Sequence, residues 1–202
     1  SCCVYGYGGV GKTALTLEVV KRIVQDIWDE EALNDYKPEY VLFFSAKRNK
    51  LEIASANGRI VERTIHKHFK SEEELISLIL EALGLENFKD YHEEGIIIVD
   101  NLEALSMDER EKIKYFIEVQ TPSEMQFLLT SRNSEEYEVN LKLSGFEHGS
   151  GVDFINEYIA ENGLDLELTE TEMEELLSLS KGNTLVLVLC LRRLSQKLSS
   201  IS

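Results

Sequence analysis

Five short apolar runs divide the first part of the chain, and most of the intervals between them have a helical pattern. Each run is five to nine residues long and rich in β-branched or aromatic side chains, as strands of buried sheets are. The five runs are Ser1–Tyr5, Tyr40–Ser45, Gly95–Asp100, Met125–Asn133 and Val139–Leu143. Strands that alternate with helices form parallel sheets. We therefore predict an α/β fold with a five-stranded parallel sheet flanked by helices.

Start and stop signals bound the helices between these runs. The first helix is predicted from Ala14 to about Trp28. Ser71 and Glu74 have the spacing of a capping box, in which each side chain accepts the other residue's N–H, and Gly84 ends that helix. A third helix is predicted over Met107–Val119.

After Gly151 the pattern is helical only. Apolar positions recur with helical spacing over 152–161, 172–180 and 183–198. The second of these helices begins after either Thr169 or Thr171. We expect a sheet domain over residues 1–148 and a small helical subdomain over residues 149–202.

The segment 46–70 is the least regular part of the chain. Leu51–Ala54 and Ile60–Thr64 flank Asn57-Gly58 and have the pattern of a β-hairpin. His66 and His68 follow it. Because no third ligand stands at a recognisable spacing, we expect exposed histidines rather than a metal pair.

The loop after the first run carries the clearest chemical signal. Gly6–Thr13 reads GYGGVGKT and fits the phosphate-binding pattern G-x-x-x-x-G-K-[ST]. Glycines allow successive N–H groups to turn toward one phosphate, and the N-terminus of the following helix also favours anions. Lys12 would place its charge between the terminal phosphates, and the Thr13 hydroxyl would bind Mg²⁺. The predicted nucleotide-binding residues here are Gly8, Gly9, Val10, Gly11, Lys12, Thr13 and Ala14.

Two later runs end in residues that suit the same chemistry. The third run ends at Asp100, and ligands of open α/β sheets bind beyond the carboxyl ends of the strands. With a P-loop earlier in the chain, Asp100 is the candidate acid that holds Mg²⁺ with Thr13, directly or through water. Arg132 lies at the end of the fourth run and is placed to sense a terminal phosphate. The alternative for Arg132 is an ordinary surface arginine.

The acidic composition narrows the possible partners. The 202 residues include 21 basic and 37 acidic side chains, for a net charge of −16, which disfavours binding to nucleic acid or anionic membranes. No apolar run approaches the ~20 residues of a membrane span, and no signal peptide is visible. Three cysteines without framework spacing favour a reducing compartment, so we expect a cytoplasmic protein. The chain opens on a core strand without Met, so we expect a fragment of something longer.

Four motifs together resemble one family. Gly8–Leu15 is similar to a GGVGKTxLA form of the P-loop, Ile97–Glu103 to a Walker B segment, and Leu128–Arg132 to a sensor strand often written LLTSR. Lys181–Leu187 is similar to the GxP motif of a helical subdomain. On these residues the chain resembles the nucleotide-binding domain of STAND-class P-loop ATPases, which include NB-ARC and NACHT modules. The resemblance covers nearly the whole chain.

The resemblance implies a slow ATPase that binds ATP or ADP with Mg²⁺. Its catalytic residues would be Lys12, Asp100, Glu103 and Arg132. Asn101 stands directly after Asp100, where many active AAA+ ATPases have a glutamate. Glu103 would therefore be the acid that orients the attacking water.

The resemblance also implies an adenine contact from the helical subdomain. Thr184 stands where the GxP motif has a proline that packs near the adenine, and Leu185 is expected to pack against the base. The family's winged-helix domain, with a histidine directed toward the nucleotide, would follow Ser202. Effector and sensor domains of the parent chain are expected outside this sequence too.

By resemblance, the function is a signalling switch. ADP would hold the module closed, and exchange for ATP would permit self-association through the nucleotide-binding domain and activation of an effector, in prokaryotic immune or antiphage defence. Three alternatives remain. An AAA+ or initiator-type ATPase would need a sensor-2 arginine such as Arg192 or Arg193. A hydrolysis-deficient scaffold is favoured by Asn101 and Thr184, and a small-molecule kinase would need an acceptor pocket and a mobile lid.

Overall fold

The computed structural model describes residues 1–28, 38–47, 67–89 and 91–199. The chain forms two compact units. The first consists of Ser1–Tyr5 and Thr13–Leu141, and the second of Gly6–Lys12 and Lys142–Ser202. None of the described helices is long and apolar enough to cross a membrane.

A six-stranded sheet is the framework of the first unit. Its strands are β1 (Cys2–Tyr5), β2 (Tyr40–Ser45), β3 (Lys67–His68), β4 (Gly95–Asp100), β5 (Met125–Ser131) and β6 (Val139–Lys142). Their order across the sheet is β3-β2-β4-β5-β1-β6. β4 pairs in parallel with β2 and β5, β5 pairs in parallel with β1, and β2 pairs in parallel with β3. The prediction of a parallel α/β sheet is therefore confirmed, with all five predicted strands present.

The strand β3 was not predicted, because two residues are too few to show a periodic pattern. Its His68 is half-buried, with Nδ1 3.3 Å from the Ser45 carbonyl oxygen, so the prediction of an exposed side chain was wrong for this histidine. His66 and the predicted hairpin over Leu51–Thr64 lie outside the described residues.

The core of the first unit lies around β4, whose six residues are all buried. Ile97 and Val99 of β4 belong to one hydrophobic cluster with side chains of the neighbouring strands, among them Phe44 and Leu129. Full burial of each such side chain contributes about 1.5–3 kcal/mol. Gly95 begins β4 because the ring of Tyr40 occupies the space that a Cβ would need.

Three α-helices alternate with the strands of the sheet along the described chain: α1 (Lys12–Trp28), α2 (Glu72–Leu83) and α3 (Met107–Tyr115). The Ser71 hydroxyl accepts the Glu74 N–H at 3.2 Å, and Gly84 ends α2 in the left-handed conformation, as the sequence predicts. The Glu74 carboxylate, however, accepts the N–H of Lys70 at 2.7 Å. The second half of the predicted capping box is therefore displaced by one residue.

The helix predicted over Met107–Val119 changes its hydrogen bonding part-way. The α-helical part ends at Tyr115, and Phe116–Gln120 continue as a π-helix. Phe116 and Ile117, the first two residues of this π-helical turn, are both buried. Insertions of this kind have no signature in the apolar period of the sequence, so the pattern predicted one continuous α-helix.

The second unit contains α4 (His148–Glu161), α5 (Glu170–Ser180) and α6 (Thr184–Ser199). Thr169 caps α5 in a complete capping box with Glu172, which decides between the two threonines that the sequence left open. The helices share a second hydrophobic cluster centred on Ile155, Leu187 and Leu191. One face of α6 is thus packed, as expected for a leucine-rich helix of this subdomain.

Candidate functional site

In the first unit, polar side chains meet where β2, β4 and β5 end. Asp100, the last residue of β4, is 1% exposed. Its Oδ1 accepts the hydroxyls of Thr13 and Thr130, each at 2.7 Å. Its Oδ2 accepts the Ser45 hydroxyl at 3.5 Å and the side-chain amide of Asn101. A buried carboxylate needs such donors in place of water, and this one has them from four residues.

The order of the strands explains this cluster. β5 lies between β1 and β4, so the hydroxyl of Thr130 near the end of β5 reaches the acid at the end of β4. β2 lies on the other side of β4, and Ser45 is paired in register with Asp100. Asn101 leaves the strand with a positive φ of 63° and donates its N–H to Thr130 at 2.9 Å. Asparagine tolerates this left-handed conformation better than most residues.

In the second unit, the predicted phosphate-binding loop folds around its own lysine. Lys12 is 8% exposed, and its Nζ donates to the carbonyl oxygens of Gly6 at 2.8 Å and Tyr7 at 3.1 Å. Gly9 and Gly11 have positive φ values of 79° and 102°. The loop therefore has the backbone shape that its glycines predict, with the ammonium group held against it.

The same unit brings the start of α6 against this loop. The side-chain amide of Asn183 donates to the Gly8 carbonyl at 2.9 Å, and the Thr184 hydroxyl donates to the Val10 carbonyl at 3.2 Å. The N–H of Leu185 donates to the Gly9 carbonyl at 3.0 Å. Thr184 and Leu185, for which the family resemblance implies a contact with the adenine, contact the loop backbone here.

Glu103 and Arg132 form an ion pair in the first unit. Arg132 Nε lies 3.0 Å from Glu103 Oε1, and the two side chains are 57% and 14% exposed respectively. Glu103 Oε2 is buried and accepts no hydrogen bond from the described residues. The candidate water-orienting acid and the candidate phosphate sensor are therefore bound to each other.

The structure thus groups the predicted site residues in three places. Thr13 lies with Asp100, Glu103 lies with Arg132, and the loop Gly8–Lys12 lies with Thr184 and Leu185. Ala14 is exposed in the first turn of α1.

Three further polar residues of these groups, Ser45, Thr130 and Asn183, were not predicted as site residues. Ser45 and Thr130 are the polar residues near the ends of otherwise apolar strands, a signal that was present in the sequence. Asn183 precedes an apolar helix, the position that an N-cap residue occupies.

The oxygen atoms of Thr13 and Asp100 fit a hard cation. A threonine hydroxyl and a carboxylate, 2.7 Å apart at Thr13 and Asp100, supply the oxygen ligands that Mg²⁺ prefers. Thr13 and Asp100 are the residues that would hold the ion, and it would supply positive charge next to them.

Several solved structures are similar to this chain. Three variants of RuvB from Thermotoga maritima superpose on 99% of this chain with TM-scores of 0.58, 0.57 and 0.59, at 13% sequence identity. RuvB is a P-loop ATPase of the AAA+ class. The chain has the α/β fold of a P-loop NTPase. At this identity the likeness concerns the fold alone.

The chain spans 55% of the length of the RuvB variant with the TM-score of 0.58. No family model matches the sequence, and no curated protein matches it. The assignment of the fold therefore rests on the strand arrangement, on the glycine-rich loop after β1 and on the superposition.

Proposed function

We propose that this chain is the nucleotide-binding module of a STAND-class signalling ATPase, which binds ATP or ADP with Mg²⁺. The observation that carries the proposal is the 2.7 Å hydrogen bond between the Thr13 hydroxyl and the Asp100 carboxylate. It joins the last residue of the P-loop motif to the acid at the end of β4. These are the two protein groups that hold Mg²⁺ in the P-loop mechanism.

The role proposed for each group follows from its chemistry. The glycine-rich loop binds phosphate oxygens through backbone N–H groups, and Lys12 neutralises charge on the terminal phosphates. The cation, when bound, neutralises charge on the β- and γ-phosphates. Lys12 gives up its hydrogen bonds to the Gly6 and Tyr7 carbonyls when it turns to a phosphate.

The switch depends on a difference between ATP and ADP. A ligand shifts a conformational equilibrium only as far as its affinities for the two states differ. We propose that the γ-phosphate draws Arg132 away from Glu103, which frees the carboxylate to orient water. Turnover is slow, because the residue directly after Asp100 is Asn101 rather than an acid. ATP binding then promotes self-association through this domain and activates an effector in the parent chain, in immune or antiphage defence.

An AAA+ ATPase is the second candidate. The superposition on RuvB over 99% of this chain favours it. It predicts steady ATP turnover, whereas the signalling switch predicts retained nucleotide and assembly that depends on ATP. The STAND candidate is preferred because the P-loop, the sensor strand and the Lys181–Leu187 segment all resemble that class.

The experiment that tests nucleotide binding is calorimetric titration of Lys12→Ala with ATP and Mg²⁺. Loss of the ammonium group removes a charged contact to phosphate, so we expect affinity to fall about 10- to 100-fold. Lys21→Ala is the matched control, since Lys21 lies on the same helix in an exposed ion pair with Glu18. Unchanged ATP affinity in Lys12→Ala would overturn the proposal.

A further inference from the structure

The carbonyl groups of the phosphate-binding loop are held by the start of α6. Three consecutive loop carbonyls, those of Gly8, Gly9 and Val10, accept hydrogen bonds from three consecutive residues, Asn183, Thr184 and Leu185. Two of these donors are side chains and one is a backbone N–H. This contact lies within the second unit.

Holding a carbonyl fixes the N–H of the same peptide group. A trans peptide is planar, with its C=O and N–H pointing in opposite directions, and none of the described peptides is cis. The bond from Asn183 to the Gly8 carbonyl therefore turns the Gly9 N–H away from α6. The bond from Thr184 to the Val10 carbonyl turns the Gly11 N–H away from α6 in the same manner.

The first turn of α6 also depends on the loop. The first N–H groups of a helix have no partner within the helix. Here the Leu185 N–H is satisfied by the Gly9 carbonyl, and the Val186 N–H by Asn183 Oδ1 at 3.2 Å. Asn183 thus caps α6 with its oxygen while its nitrogen binds the loop.

The contact is close enough to require glycine in the loop. A Cβ built on Gly9 would lie 2.8 Å from Leu185 Cβ and 2.9 Å from Asn183 Oδ1. No larger residue fits there without displacing the start of α6. Gly9 therefore serves the approach of α6 as well as the phosphate-binding shape that the motif requires.

We propose that Asn183 and Thr184 are positioning residues of the phosphate-binding loop, acting through its carbonyl groups rather than on the base. The proposal rests on the proposed nucleotide binding and changes the role of Thr184. The resemblance places this residue at the adenine, whereas its hydroxyl here binds Val10. Pre-organising the N–H groups favours every ligand that carries a phosphate chain, whether or not it carries a base.

The test compares ligands with and without a base. The full chain and its Thr184→Val variant are titrated with ATP, ADP and inorganic tripolyphosphate, each with Mg²⁺. We expect Thr184→Val to weaken all three by a similar factor of about 3- to 10-fold, because one hydrogen bond to the loop is lost. Thr184→Ser keeps the hydroxyl and should bind all three ligands within about twofold of the wild type.

A second variant separates the loop contact from helix capping. Asn183→Ser keeps an N-cap side chain for α6 but loses the amide that reaches Gly8. It should weaken the three ligands in parallel, while the midpoint of urea unfolding stays close to that of the wild type.

Other outcomes would overturn the inference. Normal tripolyphosphate binding with weakened ATP and ADP in Thr184→Val would show that this residue acts on the base. Wild-type affinities in both variants would show that the carbonyl contacts position nothing. Absence of binding by the wild-type chain, with Lys12→Ala no different, would overturn the proposed function and the inference with it.

Discussion

Asp100 places a buried carboxylate at the end of an otherwise apolar strand. The residue is 1% exposed, and hydroxyls from Thr13 and Thr130 share its Oδ1 at 2.7 Å each. An unsatisfied buried donor or acceptor costs about 1–3 kcal/mol, so each of these partners stabilises the unit as well as shaping the site. The acid itself was predictable as the end of an apolar run. Thr130 was not singled out, because its proximity depends on β5 lying between β1 and β4.

The ion pair between Glu103 and Arg132 makes a prediction about nucleotide preference. Arg132→Ala removes the proposed contact to the γ-phosphate, so ATP affinity should fall by about tenfold more than ADP affinity. Glu103→Gln removes the charge that holds Arg132 in an ion pair that is exposed on the Arg132 side only. It should favour ATP over ADP by about fivefold, because solvent at Arg132 partly screens the pair. Calorimetric titration with both nucleotides measures the two ratios.

Arg22→Ala is the control for this pair of variants. Arg22 lies in an exposed ion pair with Glu18 on α1, 3.1 Å from its partner. Its removal should leave the ratio of ATP to ADP affinity unchanged. Equal losses for ATP and ADP in Arg132→Ala would remove the proposed sensor role.

At the scale of elements, helix ends were predictable where a capping residue marks them. Ser71, Gly84 and Thr169 have the cap positions that their residue types favour. The start of α4 was predicted at Val152, but the helix begins at His148, after Glu147, whose side chain makes no capping hydrogen bond. The π-helix at Phe116–Gln120 was missed because the spacing of apolar residues does not distinguish a single π-helical turn from a continued α-helix.

A hydrogen bond between α2 and α3 predicts how the free energy of unfolding depends on pH. The Glu109 carboxylate of α3 accepts Lys112 Nζ at 2.7 Å and the N–H of Glu72, in the first turn of α2, at 2.8 Å. The hydrogen bond from Lys112, then that from Glu72, lowers the pKa of Glu109. A carboxyl group whose pKa is lower in the folded state stabilises the fold at pH values above its unfolded-state pKa of about 4.3. This stabilisation is lost as the pH falls through the folded-state pKa.

Glu109→Gln is the variant that isolates this contribution. Its free energy of urea unfolding should be lower than that of the wild type at pH 7. The difference should shrink as the pH falls through the lowered folded-state pKa of Glu109, below which the wild-type carboxyl is protonated in both states. A difference that stays constant from pH 7 to pH 3 would contradict the assignment of the pKa shift.

At the scale of the whole molecule, the fold was predictable and the site only in part. Apolar runs and one glycine-rich motif were sufficient for a parallel P-loop sheet, and the superposition on RuvB over 99% of the chain agrees with it. The proximity of Thr13 and Asp100 was expected from the P-loop motif, but the other partners of the site residues were not predictable. The Glu103–Arg132 pair and the contacts of Asn183 and Thr184 join residues far apart in sequence, and no local pattern encodes such pairs.

The proposed switch requires that the nucleotide state control assembly. The most direct measurement is titration of the chain with ATP and with ADP, each with Mg²⁺, followed by light-scattering measurement of the mass of both complexes. The switch predicts tight retention of ADP as a monomer and larger assemblies with ATP only. Equal, weak binding of the two nucleotides with fast turnover and unchanged mass would contradict it.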